Sequence, residues 1–357
     1  MIAMRRYASI GALAAVLALS GCGVEYYWQG VTGQVDLLAK AKPIPEVIEG
    51  TADPALKNRL ERVQAIRAFA SRELALPDNK SYTSYADLGR TYVLWNVFAA
   101  PALSLTPRQW CFPVAGCVNY RGYFAEADAR AEAARLAARG DDVHVGGVPA
   151  YSTLGYFDDP VLSTFARYSE VELARLIFHE LAHQVVYVKD DTSFNESFAV
   201  TVEEEGVARW LADAAKRRDP ADAARLVADF QRGQQTRGEF RATIAAARER
   251  LEAIYASPAS DDEKRASKAA VFAGMRADNE RRRAASGGPT AFDRWFEAGA
   301  NNAGIAAAGL YADRVPQFKA ILDEEGGDLP QFYERVKLLA ALPKAEREVA
   351  LTKAAER

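Results

Sequence analysis

The sequence predicts an α+β chain that is predominantly helical, with one small sheet. Three observations carry this. Long Ala-rich, charged stretches with apolar residues at helical spacing dominate the chain. Between Tyr82 and Tyr123 the texture changes to short aromatic and β-branched runs, punctuated by Pro101, Pro107, Pro113 and Gly116, as strands joined by turns require. Two of only three histidines, His179 and His183, stand four positions apart in an apolar-periodic segment, so they share a helix face.

Residues 1–6 are short and basic, and 10–19 are apolar but too few to span a bilayer as a helix. Leu19-Ser20-Gly21-Cys22 follows, which gives the layout of a secretory signal peptide. The four residues resemble a bacterial lipobox, which implies removal of 1–21 and lipidation of Cys22. Gly23 after the cysteine, in place of Asp, implies the outer membrane, with the body facing the periplasm. Residues 22–42 are then expected to be a lipidated tether, and 43–357 a single domain that meets the membrane only through its anchor.

Along the body, 46–76 reads as helix, with Leu56, Leu60, Val63, Ile66 and Phe69 near helical spacing. The strand-like region 82–123 contains Tyr92-Val93-Leu94-Trp95-Asn96-Val97-Phe98. Residues 124–139 form an Ala-rich helix that Gly140 stops. Val143-His144-Val145 is a candidate strand, and 148–154 a second extended segment after Gly146-Gly147. A helix is expected from about Glu170, a turn near Lys189-Asp190-Asp191, and another helix from about Phe194. Residues 213–285 read as a charged helical insertion broken at Ser257-Pro258-Ala259-Ser260. Trp295, Phe296, Tyr311, Phe318 and Phe332 carry enough aromatic surface to dock the C-terminal helices on the body.

Of the 357 residues, 49% are hydrophobic and 26% charged, which excludes wholesale disorder. Loss of the leader, with its two arginines and no acids, takes the net charge from −3 to −5. A basic footprint for nucleic acid is absent. Three cysteines exclude a disulfide-built scaffold. With Cys22 lipidated, Cys111 and Cys117 remain, and an oxidising compartment favours one small-loop disulfide between them.

The chemistry concentrates in His179-Glu180-Leu181-Ala182-His183-Gln184. On a helix the two imidazoles can converge on one ion with Glu180 beside it, the arrangement in which zinc peptidases use the glutamate as general base. Ser169 and Glu172 have capping-box spacing ahead of the apolar positions Val171, Leu173, Leu176 and Ile177. Catalytic zinc needs a third protein ligand and an open fourth position. Glu196 and Glu203, seven apart, share one face of the following helix, and spacing alone does not choose between them. Ser193 and Glu196 could instead form a capping box. Glu203 could hold a ligating histidine from behind or bind a substrate amine. Tyr151, Tyr187 and Tyr311 are candidates by residue type for stabilising an oxyanion.

His179 to Gln184 followed by Asn195-Glu196-Ser197-Phe198-Ala199 resembles the paired motifs of gluzincin aminopeptidases. The resemblance implies a zincin-like core, one zinc ion held by His179, His183 and Glu196, and Glu180 as catalytic base. Only twelve residues separate His183 from Glu196, fewer than in the large members, which implies a shorter connection. More of the chain resembles a family of bacterial lipoproteins described as "putative aminopeptidase". Here the matching features are the lipobox, Tyr120-Arg121-Gly122-Tyr123-Phe124, Ala150 to Gly155, the His-Glu helix, Asn195 to Ala199, Glu203 to Gly206 and Asn301-Asn302-Ala303.

The expected substrate is therefore a peptide. Zincins often have an edge strand before the active helix, and 148–154 would pair with the substrate there. That segment lacks the additional glutamate with which large aminopeptidases bind a free amine, so Glu203, Glu204 or Asp158 would have to substitute. A lipid-anchored endopeptidase and a non-catalytic binding or chaperone module with a vestigial zinc site are the competing readings. An intact Glu180 argues against the last, because a structural site has no use for a general base.

Overall fold

The computed structural model describes residues 25–112, 116–286, 288, 290, 292–308 and 314–355. The leader, Cys22 and Tyr311 lie outside them. The described chain is mostly helical, but its strands form three small sheets where one was expected.

Residues 25–39 form helix α1. It lies within the segment expected to be a tether over 22–42. The segment is rich enough in aromatic and aliphatic residues to bury a face: Tyr26 packs on Phe112 and Tyr123, and Leu37 is buried. Strand β1 (Lys42–Pro43) pairs antiparallel with β2 (Ser84–Ala86), which pairs parallel with β8 (Val161–Leu162). The helix expected over 46–76 is two helices, α2 (Ile44–Gly50) and α3 (Pro54–Leu74). Between them Asp53 caps α3 by accepting from the Ala55 amide, and Pro54 at the first helical position needs no partner.

The second sheet has β3 (Leu94–Pro101) at its centre, antiparallel to β6 (Arg121–Tyr123) and to β7 (Asp141–Val148). Val97 and Ala99 pack on α4 (Glu126–Ala137), and Phe98 and Ala100 pack on α10 (Asn302–Ala308). Burial on both faces explains why β3 reads as a continuous apolar run instead of an alternating one. Strand β7 runs on through Gly146-Gly147, where a break after Val143-His144-Val145 was expected, and Gly147 lies against the Tyr92 ring. A Cβ there would sit 2.3 Å from the Tyr92 ring. Residues 149–154, expected to be extended, form no strand. Pro149 has no N–H to pair, and Ser152 and Thr153 turn back to hydrogen-bond Asp159. The third sheet is the hairpin of β4 (Trp110–Phe112) and β5 (Gly116–Val118), cross-linked by the Cys111–Cys117 disulfide.

Helices α5 (Glu170–His183) and α6 (Thr192–Arg217) pack along each other at the centre of the main core. Gly206 permits this approach, since a Cβ there would meet Phe178 at 2.7 Å and Leu74 at 2.8 Å. Helices α7 (Pro220–Ala256) and α8 (Asp261–Ser286) form a long hairpin. Its cluster of Ile244, Leu251, Val271 and Met275 is completed by Phe292 and by Trp295 and Phe296 of α9 (Asp293–Glu297). Helices α11 (Val315–Glu324), α12 (Leu329–Ala340) and α13 (Lys344–Ala355) cover α6, with Phe318 and Phe332 against Phe194 and Phe198. Among the described residues no helix is long and apolar enough to cross a membrane.

Candidate metal centre

Helix α5 starts where Ser169 accepts from the Glu172 amide, and its last residue is His183. Helix α6 starts at Asp191, whose side chain accepts from the Phe194 amide. The cap is therefore two residues before Ser193, and Glu196 is left out of any capping box. Asp191 also forms a buried ion pair with Arg347 of α13, at 2.8 Å. Between the helices, the Asn195 carboxamide grips the Val188 backbone twice, accepting from its N–H and donating to its C=O, each at 2.7 Å. The Cys117 amide donates to Asp190 in the same turn. These ties hold the first turn of α6 against the last turn of α5.

One consequence is the placement of Glu196. Its carboxylate lies 3.3 Å from His179 Nε2 and 3.7 Å from His183 Nε2, and the two Nε2 atoms are 3.1 Å apart. Among the described residues these three are the one group of His, Cys, Asp and Glu placed to hold an ion. Tetrahedral ligands about 2.0–2.1 Å from a zinc ion lie roughly 3.3 Å from one another, so the spacing of the trio fits. The donor set of two histidines and one glutamate is that of catalytic zinc sites.

Glu203 stands one step back. Its Oε2 is 2.9 Å from His179 Nδ1, and its Oε1 accepts from Arg175 Nε. With Nδ1–H donated to Glu203, His179 Nε2 presents a lone pair to the centre. Arg175 is bound in turn by Glu172, which also pairs with Arg237 of α7. His183 has no such support: its buried Nδ1 has no hydrogen-bond partner among the described residues.

The electrostatics favour a cation. Burial opposes a charge on His179, but hydrogen bonds to Glu196 and Glu203 outweigh it and hold the pKa well above the usual value. Burial would raise both glutamates, yet contact with His179 leaves each below the usual range. Without an ion, a proton on His179 supplies the positive charge the two carboxylates require. His183 is pushed down to about 4 by burial and by its charged neighbour, which keeps it neutral. Glu180 is pushed up to about 7, by burial first and by the Glu196 charge, against the pull of His179.

Of the other candidates, Tyr151, Glu204 and Asp158 do not join the trio, whereas Tyr187 borders it. Tyr151 gives its hydroxyl to Gln34 of α1 and sets its ring on Phe124. Glu204 pairs with Lys319, and Asp158 is exposed on the 152–159 loop. Tyr187 is at the centre, its ring 6.5 Å from that of His183. His144 is buried in β7, with Nδ1 3.0 Å from the Gly299 carbonyl. Sequence reasoning missed Tyr120. Its ring packs on Phe98, and burial together with the charges of Glu196 and Glu180 holds its hydroxyl pKa up. It also missed the Asn195 clamp, for which the only local signal was its place before Glu196.

Comparison with curated proteins, and with solved structures, gives no match. A family model described as "Putative aminopeptidase" matches residues 25–351, nearly the whole described chain. Its span includes both helices of the centre and the α7–α8 hairpin, and the chain belongs to that family.

Proposed function

We propose that the chain is a zinc-dependent aminopeptidase of gluzincin type, built on a zincin-like core and carried as a lipoprotein of the bacterial envelope. One observation carries the reading: two imidazole nitrogens and the Glu196 carboxylate converge at ligand spacing, with Glu180 beside them on the same helix. His179, His183 and Glu196 would hold the ion, and Glu203 would orient His179. Zinc, when bound, lowers the pKa of water and polarises a peptide carbonyl. Glu180 takes the proton of the attacking water and delivers it to the departing amine. Tyr187, whose ring is 6.5 Å from that of His183, would be a candidate hydroxyl donor for the oxyanion. A lipid anchor at Cys22 would place the body at the outer membrane, facing the periplasm.

A specific observation also favours the endopeptidase reading. Glu203, considered for a substrate amine, is buried and engaged by His179 and Arg175, and Glu204 is paired with Lys319. N-acetylation of a peptide decides between the two, since it abolishes cleavage by an aminopeptidase and spares an endopeptidase.

The test is metal content of the mature chain, purified with Cys22→Ser and without chelator. We expect about one zinc per chain, lost in His179→Ala. Glu180→Gln should keep its zinc and lose roughly 10²–10⁴-fold in turnover. A chain that stays metal-free when zinc is supplied would overturn the reading, as would full turnover in Glu180→Gln.

A further inference from the structure

Helix α1 docks through one face only. Gln29 Oε1 accepts from the Phe124 amide and its Nε2 donates to the Gly122 carbonyl, while Arg121 stacks over the Tyr26 ring at 4.0 Å. Gln34 meets Tyr151, and Leu37 is 2% exposed. The opposite face carries Trp28, Val31 and Val35, exposed by 67%, 58% and 60%, with Tyr27 beside them at 49%. Positions 28, 31 and 35 are three and four apart, so they form one continuous stripe. The exposed Asp36 next to it is already paired with Lys40 at 2.6 Å.

An open apolar stripe of this kind needs a cover, and the position of the anchor names it. Cys22 is six residues before Trp28, and six residues reach at most roughly 20 Å in any conformation. If Cys22 is lipidated, the stripe begins within that distance of the acyl chains. Trp and Tyr concentrate at the membrane–water interface, and an amphipathic helix binds there in proportion to its buried apolar area.

We propose that α1 lies on the bilayer surface, with Tyr27, Trp28, Val31 and Val35 in the headgroup–acyl boundary, and holds the body against the membrane. The placement rests on the lipoprotein reading above, but the stripe acts without the acyl group. Its contact is apolar, so it does not depend on anionic lipid.

The experiment uses the mature chain with Cys22→Ser, which keeps every described residue. Flotation is measured with phosphatidylcholine vesicles and with phosphatidylethanolamine–phosphatidylglycerol vesicles. Part of the chain should float with both, with little change between about 0.1 and 0.5 M salt, and brominated lipid should quench tryptophan emission. Replacing Trp28, Val31 and Val35 together by Ser should cut the bound fraction about five-fold or more, with the melting temperature unchanged because all three side chains are exposed. A chain that floats with neither vesicle, or a triple variant that floats as well as its parent, overturns the proposal. So does a concentration-dependent dimer that the triple variant abolishes, which would make a second copy the cover. Labelling of the full chain with palmitate, lost in Cys22→Ala, tests the anchor separately. Failure of that labelling removes the anchor and leaves the vesicle result to judge the stripe.

Discussion

Glu203 is not one of the three grouped side chains, but it holds one of them, His179. It is 3% exposed, and its charge is sustained by His179 on one side and Arg175 on the other. Replacing Arg175 by Met leaves that buried carboxylate one partner short and loosens the ring it orients. Zinc affinity, measured by competition with a chromophoric chelator, should fall about 10–100-fold, while circular dichroism stays that of the parent. Unchanged affinity would mean that Arg175 only packs. A second residue-scale expectation concerns His144. Burial lowers its pKa from 6.5, against the pull of the Gly299 carbonyl. A histidine depressed in the folded state binds its proton more readily when unfolded. Its stabilising contribution is therefore complete above about pH 6.5 and is lost as the pH falls through the folded value. The urea midpoint should fall between about pH 7 and pH 5, and fall less in His144→Gln. Parallel pH profiles for the two chains would refute this.

At the scale of elements, the relation between α5 and α6 is what makes the centre. The turn joining them is held from within by Asn195 on Val188, and from outside by the β4–β5 hairpin through Cys117 and Asp190. Closing so small a loop by a disulfide is worth about 2 kcal/mol in chain entropy. Cys111→Ser with Cys117→Ser should lower the unfolding free energy by about that amount and leave zinc bound, because the Asn195 clamp remains. Loss of zinc from the cysteine double variant would instead make the hairpin essential to the placement of Glu196.

Among the described residues the two largest apolar clusters are the main core around α5 and α6 and a smaller one beneath the α7–α8 hairpin. Trp295 closes the smaller one, packing on Phe240 and Phe296 and donating its indole N–H to the Gly304 carbonyl. Trp295→Ala should cost about 3–5 kcal/mol. Amide exchange should rise across α7 and α8 first, with exchange in α5 and α6 nearly unchanged. Uniform loss of protection would show that hairpin and core unfold as one unit.

Much of this was legible in the residues because its causes are local. Four-residue spacing puts His179 and His183 on one helix face whatever surrounds them. Ser169 caps α5, and Gly140 follows α4, through contacts within a turn or two. Other features were not legible because they depend on distant partners. Glu196 and Glu203 share one face of α6, and nothing local says which of them meets both imidazoles. That is decided by Asn195 on Val188, by Asp190 on Cys117 and by the close approach at Gly206, contacts whose partners come from four separate elements and turns. The same holds for α1, in the segment expected to be a tether, and for residues 149–154, expected to be extended. In each, a surface from elsewhere in the chain decided the outcome: Phe112 and Tyr123 for α1, and Asp159 for the segment after β7.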